Sequence, residues 1–206
     1  MYSQKPLPFD KELDGISKKT NEIHHGKLYK GYVDKANEIG EKLGQLRKEV
    51  ISDTAPPSNQ TYSQLRGLKQ GETFAVNGIY LHEWFFGVLG GDGNSNKGPE
   101  LAEAISEKFG SVENFIKYFT ECAVAARGWA ILAWDPKVGK LKQYNGDAHN
   151  QAVWGCIPVL ALDVYEHAYF IDHGSDRKAY IAAFFKNLNW EAANELYKKA
   201  SQIRLD

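Results

Sequence analysis

Asp163 and His167 stand four residues apart in LALDVYEHAYF (160–170), directly after an apolar run that begins at Cys156. The run CIPVLALDV, with glycine before it and charge after it, reads as a buried strand. That places Asp163 at the strand's exit and His167 one tight bend later. A carboxylate delivered there needs a partner, because an isolated buried charge costs several kcal/mol or takes up a proton. A metal ion satisfies both side chains at once, and so does a hydrogen bond between them. The remaining histidines are His24, His25, His82, His149 and His173. His24 and His25 fall near the start of a long helical pattern, and His82 lies in LHEWFF, late in a second one. A histidine among leucine and aromatics is most often a hydrogen-bonded core residue. Two of them on neighbouring antiparallel helices, joined by Asp163 and His167, make three imidazoles and one carboxylate. Such a set suits a redox-active first-row metal.

The elements that must position these groups follow from periodicity and punctuation. Pro6 and Pro8 make the first dozen residues an extended arm. Ser17 or Thr20 can cap a helix running to about Ser52. Its apolar positions Tyr29, Tyr32, Ala36, Ile39, Leu43, Leu46 and Val50 alternate by three and four, the seam of a helix packed lengthwise on another. Continued backwards, that seam puts His25, and not His24, on the core face. Residues 53–60, with Pro56-Pro57, break the helix. A second one is expected from about Tyr62 to Leu89 with an interruption near Gly71, giving an antiparallel hairpin. The stretch from Gly90 to Gly98 follows a helix and lacks a P-loop lysine, so it reads as a linker and as the domain boundary, with domains 1–90 and 91–206. Helices are then expected over Pro99–Phe109 and Ser111–Ala126. Strands follow at Gly128–Trp134, Lys140–Tyr144 and up to Asp163, with closing helices at Asp176–Leu188 and Trp190–Ile203. The fold class is α+β: an N-terminal helical hairpin, then a domain with a small, about three-stranded antiparallel sheet and flanking helices.

Composition narrows the function classes. In 206 residues, 43% are hydrophobic and 25% charged, the pattern of a globular protein and not of a disordered one. A net charge of −1 offers no basic footprint for nucleic acid. Cys122 and Cys156 are too few for a disulfide framework and point to a reducing compartment. The N-terminal stretch MYSQKPLPFDKELDG has no apolar core of signal-peptide length, and no later run reaches the length of a transmembrane helix. The expectation is a cytoplasmic protein that binds neither membrane nor nucleic acid.

Several separated motifs, in order, resemble those of the iron- or manganese-dependent superoxide dismutases. The most specific is DVYEHAYF, similar to that family's D-x-W/Y/F-E-H-A-Y segment. IHHGKLYKGYV, NGIYLHEWFF, RGWAILAW and LNWEAANELY support it, and together they span nearly the whole chain from Leu7 to about Tyr197. The resemblance implies disproportionation of superoxide to oxygen and hydrogen peroxide at one iron or manganese ion per subunit. It implies His24, His82, Asp163 and His167 as metal ligands with solvent as a fifth, so it selects His24 where the seam selects His25. It implies Tyr32 at the substrate funnel, Trp129 as a cavity wall and His149 as the group beside the bound solvent. Gly78 stands where iron forms usually carry a glutamine. It further implies a homodimer, or a tetramer built from it, with Glu166 bridging to His167 of a second copy and Tyr169 also at the interface. Leu28 replaces a histidine that would bond that tyrosine, Tyr165 replaces a tryptophan, and Phe170 replaces a tyrosine. Lys27 and Lys30 flank the first-helix histidines and could attract the superoxide anion. The competing reading is a catalytically weak or silent metal-binding relative with a structural or storage role. A two-histidine, one-carboxylate oxygenase is disfavoured by the fourth ligand, and a di-iron bundle by the lack of paired E-x-x-H motifs.

Overall fold

The computed structural model describes residues 1–151 and 153–205. Ser17 caps the first helix, its hydroxyl accepting from the Thr20 amide at 3.2 Å. Helix α1 (Lys18–Ile23) passes into a π-helical turn (His24–Tyr29) and continues as α2 (Lys30–Ile51). After a short connection, Ser63 caps α3 (Gln64–Gly87), which runs back antiparallel along α2. The expected interruption at Gly71 does not occur. A glycine there instead permits close packing of the hairpin, since a Cβ would lie 3.1 Å from Ile39 Cδ1. Along the expected seam Tyr29, Ala36, Ile39 and Leu46 are buried, while Tyr32 and Leu43 are partly so. Val50, at the open end of the hairpin, is 46% exposed and has left the seam.

The stretch read as a linker is stitched to the C-terminal part of the chain. The amides of Gly91 and Gly93 donate to the carbonyls of Asn187 and Leu188, and Leu89 bridges Leu188. Here glycine is obligatory, because a Cβ on Gly91 would sit 2.3 Å from the Leu188 carbonyl oxygen. A 3-10 turn (Ser95–Lys97) leads into α4 (Pro99–Phe109), with proline in its first turn, and α5 (Val112–Ala125) follows with Ser111 as its cap.

The sheet comprises β1 (Trp129–Asp135), β2 (Lys140–Gly146) and β3 (Ile157–Asp163), all antiparallel in the order β2-β1-β3. The central strand β1 is buried over its first six residues, as its unbroken run WAILAW requires. Pro158 lies in the edge strand β3, where the register shifts between Leu132 and Ala133, so no central ladder bond is lost. The same register sets Trp129 opposite both Gly146 and Asp163, so the end of the sheet delivers an indole and a carboxylate together. A 3-10 turn (Glu166–Ala168), the short α6 (Phe170–His173), α7 (Arg177–Lys186) and α8 (Trp190–Ser201) complete the chain. The architecture is α+β, a helical hairpin followed by a three-stranded antiparallel sheet with helices, as expected. Among the described residues no helix is long and apolar enough to cross a membrane.

Candidate metal centre

His24 and His82 come from the two legs of the hairpin, Asp163 from the end of β3, and His167 from the 3-10 turn that follows. Their ligand atoms all lie within 4.8 Å of one another. Asp163 Oδ2 is the centre of the group, 3.1 Å from His24 Nε2, 3.2 Å from His167 Nε2 and 3.5 Å from His82 Nε2. His24, His82 and Asp163 are 1%, 0% and 0% exposed, whereas the His167 side chain keeps 30% of its surface open.

The π turn decides which of the two adjacent histidines faces the core. His24 and Tyr29 are both buried although they stand five residues apart, and His25 is only half-buried. The Lys30 amide reaches back to the His25 carbonyl, an i→i−5 bond that inserts one extra residue per turn. Seam positions from Tyr29 onward thus keep a helical phase, and the position before it slips by one. The sequence seam assumed an unbroken 3.6 period and so favoured His25.

Each histidine's environment decides its protonation. His82 Nδ1 lies 2.6 Å from the Gly78 carbonyl oxygen, which can only accept. Nδ1 therefore carries the hydrogen, and Nε2 presents a lone pair to the centre. Among the described residues Nε2 of His82 has no hydrogen-bond partner. Burial pushes His82 down to about 3 and also lowers His24, so both imidazoles are neutral. For His167 burial acts downward too and is the largest single influence, but the hydrogen bond and the negative charge of Asp163 together outweigh it and the net shift is upward. Burial alone would raise Asp163; its hydrogen bonds from His167 and His24 prevail and hold the carboxyl well below the usual range. Three imidazole nitrogens converge on one carboxylate oxygen and cannot all be satisfied by it. One divalent or trivalent ion accepts all four donors, and borderline nitrogen with hard oxygen suits iron or manganese.

A second group of residues lines one side of this centre. Trp129 Nε1–H donates to His149 Nδ1 at 2.8 Å. With Nδ1 accepting, the proton of the neutral ring is on Nε2, which donates to the Tyr32 hydroxyl at 2.6 Å. Burial lowers His149 to about 4 and raises Tyr32 to about 12, so both keep these roles across the physiological range. Tyr32 lies flat over Gly78, where a Cβ would meet its ring at 2.8 Å. Any side chain at position 78, glutamine included, displaces that phenol. Tyr165 stacks on His167 with ring centroids 5.4 Å apart, as an aromatic in the place of the usual tryptophan.

Three residues, Asn77, Phe74 and Tyr180, escaped the sequence reading. Asn77 Nδ2 donates to the His149 carbonyl at 2.9 Å, and the Phe74 ring lies 4.6 Å from that of His149. Phe74, Gly78 and His82 share one helical face at a spacing of four, which is the signal that could have found Phe74. The Tyr180 hydroxyl donates to the Asp163 carbonyl at 2.8 Å, and the Tyr165 amide donates to Asp163 Oδ1 at 2.9 Å. Nothing local in the sequence marks Tyr180. Of the other singled-out residues, Glu166 is exposed. Tyr169 is 3% exposed within its own chain, its hydroxyl accepting from Arg177 Nε at 3.2 Å. Lys30 pairs with Asp34 on the surface, and Lys27 is exposed.

Residues 1–90 match the alpha-hairpin domain of the iron/manganese superoxide dismutases, and residues 96–196 match their C-terminal domain. The chain is 42% identical to a protein named superoxide dismutase [Fe] from Aquifex aeolicus over 189 residues, 91% of this chain and 87% of that one. It is 38% identical over 197 residues to superoxide dismutase [Fe] of Cupriavidus metallidurans, covering 94% of each. Over 200 residues it is 35% identical to superoxide dismutase [Mn] of Haloarcula marismortui, covering 95% and 93%. Relatives thus carry either metal in their names, and the four converging side chains lie in a chain matched over both halves: it belongs to the iron/manganese superoxide dismutase family.

Proposed function

We propose that His24, His82, Asp163 and His167 hold the single iron or manganese ion with which this superoxide dismutase works, and that Trp129, His149 and Tyr32 manage the protons. One observation carries the reading: three imidazole Nε2 atoms surround Asp163 Oδ2, and that of His82 has its lone pair aimed inward with nothing to receive it. A bound ion supplies the one-electron couple that oxidises one superoxide to dioxygen and reduces a second to peroxide.

The residues of the chain do the rest. Two superoxide anions and two protons give one dioxygen and one hydrogen peroxide, so proton delivery sits in the reductive half. Tyr32 holds a phenolic proton at neutral pH, and its hydroxyl already accepts from His149, so its own O–H remains free to donate toward the centre. When that proton leaves Tyr32 Oη, His149 Nε2–H stabilises the phenolate until water restores it. Trp129 fixes the His149 tautomer that makes this possible. His149 thereby influences the ion through Tyr32. The aromatic lining of Phe74, Tyr165 and Trp129 keeps the space dry enough for these hydrogen bonds to be strong.

The same reading divides the chain at residues 90/91 into the hairpin and the α+β unit. It assigns a homodimer with Glu166 as the bridge to a second copy's His167; what supports this is the exposed Glu166 flanked by Phe170 and Ile171, 57% and 45% exposed. Tyr169, buried in its own chain, backs this surface through Arg177. A reducing compartment such as the cytoplasm fits the two unpaired thiols, Cys122 and Cys156. The test is to strip the metal and reconstitute separately with iron and manganese. At least one ion must restore dismutase activity at one per chain, and Asp163→Ala and His167→Ala must bind neither. Inactivity with both ions, or full metal content in either variant, overturns the reading.

A further inference from the structure

The segment Tyr2–Lys5 lies across both legs of the hairpin, and its bonds fall on the residues immediately after the two hairpin histidines. Gln4 Nε2 donates to the His25 carbonyl at 3.0 Å and approaches His25 Nδ1 at 3.3 Å. His25 Nε2 lies 2.8 Å from the Lys5 carbonyl oxygen, so Nε2 carries the hydrogen and Nδ1 is the acceptor for Gln4. Every polar atom of the His25 ring is thus committed to this segment. On the other leg the Lys5 ammonium pairs with Glu83, which directly follows His82. The Lys5 amide donates to the Tyr29 hydroxyl at 3.1 Å, and that hydroxyl donates to Glu83 Oε1 at 2.9 Å. Further out, Tyr2 is pinned by a pair of bonds with Asn37, at 2.8 and 2.9 Å, and its ring meets Tyr80 on α3 edge-on at 6.2 Å.

The His25 carbonyl is the acceptor that defines the π turn, because the Lys30 amide bonds to it across five residues. A π turn is less stable than the α-helical alternative, in which His25 would replace His24 on the core face. We propose that Gln4 and Lys5 form a strap that holds this turn in its π form and fixes the separation of the two hairpin legs, so that His25 and Glu83 are positioning residues for His24 and His82. The strap governs how firmly the ion is retained, and no strap residue touches it. This rests on the ligand assignment above.

The strap can be cut without entering the core. In the full-length, metal-loaded protein, Gln4→Ala combined with Lys5→Ala should speed release of the ion to excess chelator about tenfold, the scale on which groups behind metal ligands act. In the metal-free protein the same variant should accelerate amide exchange across 24–29, a readout that needs no metal. Lys5→Arg, which keeps the pairing with Glu83, should restore slow release when Gln4 is intact. Lys11→Ala removes another contact of the same arm, its ammonium on the Gly91 carbonyl at 3.0 Å, and should behave as the parent. Parent-like release and exchange in the double variant overturn the proposal. Faster release without faster exchange at 24–29 also overturns it, as does an equal effect from Lys11→Ala, which would reduce the arm to general stability. An error in the ligand assignment would show elsewhere: His24→Ala or His82→Ala would keep the metal whatever the strap did.

Discussion

The hairpin and the sheet end each supply two residues to one centre, yet they do so under opposite physical conditions. His24 and His82 are wholly buried, neutral, and walled by Phe85, Phe86, Tyr29 and Trp129. Asp163 and His167 are a coupled pair at the exit of a strand, with the histidine partly open and its basicity raised by the carboxylate. Packing therefore places the hairpin pair, and electrostatics places the sheet pair. A rigid apolar cage fixes where two Nε2 atoms point, while the carboxylate supplies the negative charge of the group.

The largest effects test the hairpin's phase. His24→Ala should abolish metal binding and activity, while His25→Ala should still purify with one ion per chain. Metal analysis and dismutase assays decide between them, and the opposite outcome would mean that the π turn is not what sets the face. Next comes the phenol that the hairpin contributes. Tyr32→Phe should retain the ion but slow turnover at saturating superoxide about a hundredfold, the lower range of general acid catalysis. His149→Gln preserves a donor to Tyr32 and should fall between that variant and the parent, with a shifted potential. An unchanged turnover in Tyr32→Phe would remove Tyr32 from proton delivery.

The same contrast explains what the sequence made legible. DVYEHAYF announces its own chemistry, because the strand's apolar run ends in a carboxylate and the histidine follows within one bend. The α+β class and the positions of the three strands were equally readable from WAILAW, the turn at Pro136 and the run to Asp163, but their order was not: the run to Asp163 reads as the central strand, and β1 takes that place because it pairs with both β2 and β3. The hairpin was readable as a hairpin but not in phase: a π turn leaves no mark in a period-3.6 pattern, and its stabilising partner Gln4 lies far away in the chain. Gly71 misled for a related reason, since only the neighbouring helix reveals that a glycine serves close approach and not a break. The Trp129–His149–Tyr32 chain joins three elements and exists only after folding.

In the metal-free protein the buried histidines of the hairpin and His167 should titrate in opposite directions. His82, His24 and His149 have folded values below the ordinary 6.5, so the unfolded chain binds more protons as pH falls below 6.5 and stability is lost there. His167 has a raised value: its contribution is complete below 6.5 and disappears as pH rises through the folded value. Stability should then peak near pH 6.5, with an acid limb contributed by the buried neutral rings and an alkaline limb contributed by His167. Each proton accounts for at most about 1.4 kcal/mol per pH unit. Urea midpoints across pH 4–9 measure both limbs (about the span that histidine titration covers). His82→Gln should flatten the acid limb and leave the alkaline one, while His167→Gln should remove the alkaline limb; an alkaline limb that survives His167→Gln would break the distinction between packing and electrostatics.

The smallest effect concerns the surface of the hairpin. Lys30 looked suited to attract superoxide, and its side chain is exposed, but it pairs with Asp34 one turn further along α2. A charge and its counter-charge in contact present almost no field beyond their own separation, and the Debye length of about 8 Å at physiological salt screens what remains. Removing both charges, Lys30→Gln with Asp34→Asn, should therefore slow the second-order rate by less than about twofold at low ionic strength and have no effect at physiological salt. Asp34→Asn is the sharper probe, because it frees the lysine without moving it. If local charge matters at all, that variant should be faster than the parent at low salt and converge with it as salt rises. A tenfold loss in that double variant, on the order that true electrostatic steering reaches, would show that the pair does not cancel and that the hairpin guides substrate.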